Sequence, residues 1–256
     1  MKKLFLALVV LAVIGLGWGP TAGAGEVLVQ FSTIDALLGG LYDGTMTLSE
    51  LKAHGNLGIG TFDGLDGEMI LLHGQVYRVG ADGRAVTVSD SETTPFAAVT
   101  FFDAERELAL SAGTGFDGLS ALLAETLSAN FFHALLIEGR FKTLRTRSVP
   151  RQQPPYRPLV EVVKEQPIFD FEEVEGVLVG FYCPPFVSGI NVPGYHLHFL
   201  TADRRGGGHV LDFSVAEATL KVDTLSRFML HLPNTGDFAA ADLRRDRQGE
   251  LEKVEK

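Results

Sequence analysis

The sequence predicts a strand-rich chain with a few short helices, arranged in two halves. Three observations carry that prediction. Short apolar runs are punctuated by glycine throughout, with 29 Gly and 18 Phe in 256 residues. Helical spacing of apolar residues is confined to a few short stretches. Residues 150–158 hold four of the 11 prolines. Such a segment is too stiff and too poor in N–H donors for a sheet interior, so it reads as a connector between the halves. Hydrophobic residues make up 46% of the chain, enough for a packed core, which excludes a disordered protein.

Residues 1–24 stand apart. Lys2 and Lys3 give a basic start, 4–16 is an apolar run, and Ala22-Gly23-Ala24 fits the small-x-small cleavage pattern. The expectation is an export signal cleaved near Ala24, leaving a periplasmic or secreted chain. The run is shorter than the roughly 20 apolar residues of a membrane-spanning helix. The alternative is an uncleaved anchor. The formal charge of −10 becomes more negative once Lys2 and Lys3 are removed, which argues against nucleic acid or an anionic membrane as partner. Cys183 is the single cysteine and reads as a small buried residue without a disulfide partner.

Taken in order, 26–31 is a strand and 33–38 a brief helix. Thr47-Leu48-Ser49-Glu50 has the capping-box pattern and starts a helix running to about His54, itself placed in solvent. Alternation broken by Gly and Asp makes 57–72 two strands with a tight connection. His73-Gly74 then turns into a strand at 75–79, and 81–84 turns into 85–88, completing a β-meander. Glu68 opens one of these strands among apolar and glycine neighbours. Spacing leaves two readings open for it, a buried carboxylate with a partner or an edge residue in solvent.

Residues 96–102 and 106–110 are further strands. Leu119, Leu122, Leu123 and Leu127 keep helical spacing, giving a helix over 117–129 capped by Asp117. Residues 131–149 form a strand pair, or one strand bent at Glu138-Gly139. Arg145 and Arg147 share a face there, and spacing alone reads that face as solvated. Beyond the connector, 159–164 is a helix or strand, 171–182 a strand and 184–193 a loop. Residues 215–224 and 228–232 are strands, and the charged stretch 237–256 is two helical pieces.

The stretch with chemical content is Gly194-Tyr195-His196-Leu197-His198-Phe199-Leu200. Residues i and i+2 of a strand share a face, so His196 and His198 project side by side. A turn ending in Gly206-Gly207-Gly208 returns the chain as His209-Val210-Leu211-Asp212-Phe213, a second strand that brings His209 to the pair. Three neutral imidazoles around an open position make a catalytic zinc site. The pattern alone does not choose between zinc-hydrolase-like, cupin-like and carbonic-anhydrase-like sites, and a chance His-x-His is the bland alternative.

Several stretches together resemble one family. They are Gly60-Thr61-Phe62-Asp63-Gly64-Leu65-Asp66-Gly67-Glu68, then Arg147-Ser148-Val149-Pro150-Arg151-Gln152 with Pro155-Tyr156. Gly180-Phe181 with Cys183-Pro184 follows, then the His hairpin through Asp212, and finally Val254-Glu255. The chain resembles the alpha-acetolactate decarboxylase family over essentially everything after the leader. That resemblance implies an α/β (α+β) homodimer of two-domain chains. A mixed-sheet N-terminal domain would span 25–150, and a β-rich C-terminal domain carrying the metal site would span 151–256. It implies Zn2+ on His196, His198 and His209, active-site carboxylates Glu68 and Glu255, an active-site Arg147, and Thr61 as a hydroxyl lining the pocket. Glu255, rather than Glu250 or Glu252, sits in the Val-Glu pair. The implied reaction takes (S)-2-acetolactate to (R)-acetoin and CO2. His73-Gly74 departs from the Asp-Gly turn of many relatives, with an effect expected on the turn only.

Two rivals are set beside this reading. A cupin-like metal enzyme carries a Glu shortly after the His pair, whereas 199–208 has Asp203 as its only acid. A secreted non-catalytic metal-binding β-domain has no use for Glu68 or Arg147.

Overall fold

The computed structural model describes residues 26–255; the expected export signal at 1–24 lies outside them. Among the described residues, no helix is long and apolar enough to cross a membrane.

Strand β1 (Val27–Phe31) leads into helix α1 (Ile34–Leu38), whose N-cap Thr33 accepts the Ala36 N–H. Strand β2 (Met46–Thr47) runs into α2 (Leu48–Lys52). The expected capping box is formed there. Thr47 Oγ1 accepts the Glu50 N–H, and the Glu50 carboxylate accepts the Thr47 N–H. His54 is half-buried rather than exposed, its ring 5.1 Å from that of His231.

The meander follows as β3 (Leu57–Thr61), β4 (Glu68–Leu72), β5 (Gln75–Val79) and β6 (Ala85–Thr87), each antiparallel to the next. Strand β7 (Thr93–Thr94) pairs with β2, and β8 (Ala97–Thr100) fits between β1 and β3. That fit requires Gly60, where a Cβ would collide with the Phe96 carbonyl.

Strand β9 (Arg106–Leu110) precedes helix α3 (Phe116–Thr126). The N-cap of α3 is Gly115, not Asp117. Asp117 instead lies in the first turn, where its charge complements the helix dipole. Strand β10 (Phe132–Arg147) is a single strand of 16 residues rather than a pair. After helix α4 (Leu159–Val162) come β11 (Ile168–Cys183), β12 (Gly194–Thr201) and β13 (Gly207–Leu225). The return strand of the His hairpin and the strand expected at 215–224 are one element. Strand β14 (Arg227–His231) and helices α5 (Gly236–Ala240) and α6 (Gln248–Val254) complete the chain.

Two sheets result, in orders β14-β1-β8-β3-β4-β5-β6 and β10-β11-β12-β13-β9, the second closed on itself by β10–β13 pairing. All pairs in both sheets are antiparallel except β1 with β14. The sheets do not divide at the proline connector. Strands β9 and β10 precede it yet belong to the second sheet, and β14 follows it yet extends the first. The expected split of 25–150 from 151–256 therefore does not follow the sheets, because pairing partners are chosen by burial and not by position along the chain.

The sheets pack face to face through Ile59 and Ile70 against Leu136, Val179 and Phe181. The opposite face of the second sheet encloses a cluster of its own, including Leu135, Ile137 and Leu197, against which α3 packs through Leu119 and Leu123. Both faces of β10 are thus buried, which explains its long apolar run. Helices α1, α4 and α6 gather Ile34, Leu37, Leu159, Leu251 and Val254 into a third cluster. Each such side chain contributes about 1.5–3 kcal/mol when fully buried, and this cluster fixes α6 beside the site.

Candidate metal centre

Four elements converge on the His hairpin formed by β12 and β13. Strand β12 carries His196 and His198 on one face, and the β12–β13 register places His209 opposite His198. Strand β10 ends with Arg147 paired to His209. Strands β3 and β4 bring Thr61 opposite Glu68. Helix α6 delivers Val254, followed by its C-cap Glu255.

The three imidazoles are buried, and one ring nitrogen from each lies within 4.8 Å of the others. His198 Nδ1–H donates to the Met69 carbonyl at 2.8 Å, which leaves the Nε2 lone pair facing the cluster. That Nε2 has no hydrogen-bond partner, although the Glu68 carboxylate is 3.5 Å away. A buried acceptor left in this state costs about 1–3 kcal/mol, and a cation among the three rings removes that cost. His209 Nδ1 and His196 Nε2 are 3.2 Å apart, and His209 Nε2 is 3.6 Å from Glu255 Oε2. Burial, reinforced by the Arg147 charge, pushes His196 down to about 3. Burial likewise holds His198 and His209 well below the usual histidine range. All three are neutral at physiological pH, as ligands must be. The donor set fits a divalent metal of the zinc type.

Arg147 is 4% exposed. Its Nη1 donates to Glu68 Oε1 at 3.0 Å and its Nη2 to the Val254 carbonyl at 3.2 Å, while Nε has no partner. Burial pushes Glu68 up to about 7, with Arg147 opposing and Glu255 adding to the rise. Burial also pushes Glu255 up to about 7, against the pull of Arg147. Thr61 lines the same cavity, and its hydroxyl donates to the Gly67 carbonyl at 2.7 Å, leaving lone pairs but no proton for a ligand. The cavity holds about 30 Å³ and is walled on its apolar side by Ile34, Leu37, Leu65, Phe96 and Leu159.

The structure thus brings together Thr61, Glu68, Arg147, His196, His198, His209 and Glu255. Arg145, two residues before Arg147, is exposed and pairs with Asp170 at 2.7 Å. Cys183 is buried outside this cavity, and burial raises its thiol pKa. Sequence reading missed the apolar wall and the carbonyls of Met69 and Val254. A main-chain acceptor leaves no side-chain signal, and the wall's Leu and Ile residues look like any helical core face. The signal that existed was the helical spacing of Ile34 and Leu37.

Comparison with known proteins gives one consistent answer. The family model described as Alpha-acetolactate decarboxylase matches residues 28–245. The chain is 49% identical over 234 residues to the alpha-acetolactate decarboxylase of Methanosarcina mazei, covering 91% of this chain and 81% of that protein. It is 43% identical over 219 residues to that of Klebsiella aerogenes, covering 85% and 84%. The crystal structure of alpha-acetolactate decarboxylase from Bacillus subtilis superposes with a TM-score of 0.87 at 41% identity, covering 90% of this chain and 99% of that one. A Staphylococcus aureus protein described as similar to alpha-acetolactate decarboxylase superposes with a TM-score of 0.83 at 36% identity, covering 89% and 98%. The family match stops short of α6, so the case for Val254 and Glu255 rests on the geometry above.

Proposed function

The chain belongs to the alpha-acetolactate decarboxylase family and decarboxylates acetolactate, and from that premise we propose that the His-lined pocket converts (S)-2-acetolactate to (R)-acetoin and CO2 with Zn2+ held by His196, His198 and His209. The observation that carries this reading is the convergence of three neutral His nitrogens beside a buried Arg147–Glu68 pair and the carboxyl of Glu255.

His196, His198 and His209 would hold the zinc ion, which when bound would supply Lewis acidity toward negative charge on the substrate's ketone oxygen. The rest is the work of the chain's own side chains. Arg147 keeps N–H groups that its bonds to Glu68 and Val254 do not use, and these can donate to an anionic oxygen of the substrate. Glu68 holds the Arg147 fork in place and offers its second oxygen toward the cluster. When the bond to the carboxylate breaks, its electron pair stays on the substrate as an enediolate. A proton must then reach carbon from one face to give one enantiomer. Glu255, which burial keeps protonated up to about pH 7, donates it and is reprotonated from water. The apolar wall formed by Ile34, Leu37 and Leu65 receives the methyl groups and limits competing protonation by water.

A homodimer exported after cleavage near Ala24 belongs to the same proposal. The mass of the secreted chain and its size in solution test those parts. A cupin-like enzyme is not favoured, since 199–208 lacks the Glu it carries, nor is a non-catalytic metal domain, which has no use for the Arg147–Glu68 pair. The deciding experiment is acetoin formation from racemic acetolactate with and without a chelator. Stereochemically pure acetoin that disappears with chelator is expected; acetoin that is racemic or indifferent to chelator overturns the proposal.

A further inference from the structure

Two buried carboxamides join β1 to the loop that leads into the His hairpin. Gln30, near the end of β1, has no exposed surface, and Asn191 is buried in the loop 184–193 between β11 and β12. They are 161 residues apart, and Asn191 Nδ2 donates to Gln30 Oε1 at 2.6 Å. Gln30 Nε2 donates to the Ser32 carbonyl at 2.7 Å and to the Ile190 carbonyl at 2.6 Å. Asn191 Oδ1 accepts the Val192 N–H at 2.6 Å. The orientation of the Gln30 amide is fixed, because turning it over would set Oε1 against two carbonyl oxygens.

A buried polar network whose members are all satisfied holds its surroundings in one arrangement. Here the surroundings are the start of α1 and the loop before β12. Between β1 and α1 the chain turns through Ser32, whose φ of 64° lies in the left-handed region, and Gln30 takes the Ser32 carbonyl. The Ile190 carbonyl accepts from Gln30 and also from the Ile34 N–H at 2.9 Å, while the Gly189 carbonyl accepts the Asp35 N–H at 3.3 Å. Two N–H groups that the first turn of a helix leaves without partners are thus taken by that loop. Val192, whose N–H is held by Asn191, belongs to the same apolar cluster as Ile34 and Leu37 of α1. Ile34 and Leu37 wall the His-lined cavity, and the loop continues into the strand of His196 and His198. Neither amide lines the cavity itself.

We infer that Gln30 and Asn191 are positioning residues for the decarboxylation: together they set how far the α1 wall stands from the His face, and thereby the size of the alkyl group that the pocket admits on the substrate's carbinol carbon. The inference rests on the reaction proposed above. A pair that served the fold alone would, on removal, cost stability and leave selectivity untouched.

The test uses zinc-loaded enzyme and two substrates, acetolactate and its homologue with an ethyl group in place of the methyl on the carbinol carbon. Gln30→Met keeps the length of the side chain and removes both donors and the acceptor. A hydrophobic pocket discriminates one methylene by about 10–200-fold, so the loosened wall should raise the ethyl-to-methyl ratio of kcat/KM by at least about fivefold. KM for acetolactate should rise more than kcat falls, with zinc content unchanged. An unaltered ratio and KM in a folded variant, whatever its stability, overturns the inference. Loss of zinc overturns it too, since the effect would then lie on the metal ligands and not on the wall. Should Gln30→Met fail to fold, Asn191→Ala removes one link of the network and should move the ratio in the same direction; an unaltered ratio there overturns the inference. A wild-type chain that makes no acetoin fails the proposed reaction and this inference with it. Acetoin from the wild type together with unchanged selectivity in the variants fails this inference alone.

Discussion

Arg147 Nη1 donates to Glu68 Oε1 at 3.0 Å, with the two side chains only 5% and 7% exposed. A desolvated ion pair of this kind adds little net stability while intact, but removing one partner strands the other charge. Arg147→Ala should therefore cost about 3–5 kcal/mol in urea unfolding and abolish acetoin formation. Glu68→Gln leaves a side-chain carbonyl for Arg147, and should lose activity with a much smaller stability loss. Equal stability losses in the two variants would show that a neutral acceptor cannot stand in for the Glu68 carboxylate in holding Arg147.

His198 is the ring whose orientation is fixed from outside the cluster, through Met69. His198→Ala should lose bound metal, measured by elemental analysis after dialysis, and lose all turnover with it. Full metal occupancy in that variant would remove the hairpin from the metal's ligand set.

Glu255 is assigned to protonation rather than to metal retention. Glu255→Gln should keep its zinc and slow acetoin formation on the order of 10²–10⁴-fold. Chiral analysis of the residual product should show a mixture of enantiomers. An unchanged rate and a single enantiomer would take the role away from it.

Ending the chain at Lys253 removes Glu255 together with the Val254 carbonyl that accepts from Arg147 Nη2. The truncated protein should bind zinc normally and decarboxylate poorly. Wild-type activity there would show that α6 packs beside the site without serving it.

Asp223 gives a pH dependence far from the metal. Burial pushes its carboxyl from the ordinary 3.8 up to about 7; the Asp103 N–H opposes this, and Glu105, Asp103 and Glu26 add to it. The folded protein therefore binds a proton that the unfolded chain releases at lower pH. Stability should fall by up to about 1.4 kcal/mol per pH unit as pH rises through that interval. Asp223→Asn can still accept the Asp103 N–H at its side-chain carbonyl and has no charge to bury. Urea unfolding from pH 4 to 8 should give the variant a flatter profile, with its advantage largest at the alkaline end. Parallel profiles would contradict the assignment.

Much of the site was legible because it depends on local periodicity. The two-residue period put His196 and His198 on one face, and the glycines of the turn returned His209 beside them. Glu68 could not be resolved from spacing, since its burial depends on Arg147, 79 residues away. Arg147 looked solvated for the same reason, and its neighbour Arg145 is solvated. What separates the two is what covers them, Glu68 and the Val254 carbonyl over Arg147 against solvent and Asp170 at Arg145, which no pattern within β10 announces. The short helix α2 was found through its capping box. The membership of β10 and β14 in their sheets was not found, because strand pairing is a long-range choice.

Strand β14 lies parallel to β1, with Val27 beside Arg227 and Phe31 beside His231. The first strand of the described chain therefore waits for almost the last before one flank of its sheet is closed. A nascent chain that stops before Arg227 presents a bare row of β1 amides and carbonyls, a template for pairing with a stranger. That flank of β1 closes only once the segment carrying β14 has been made, and a product truncated before Arg227 keeps it open.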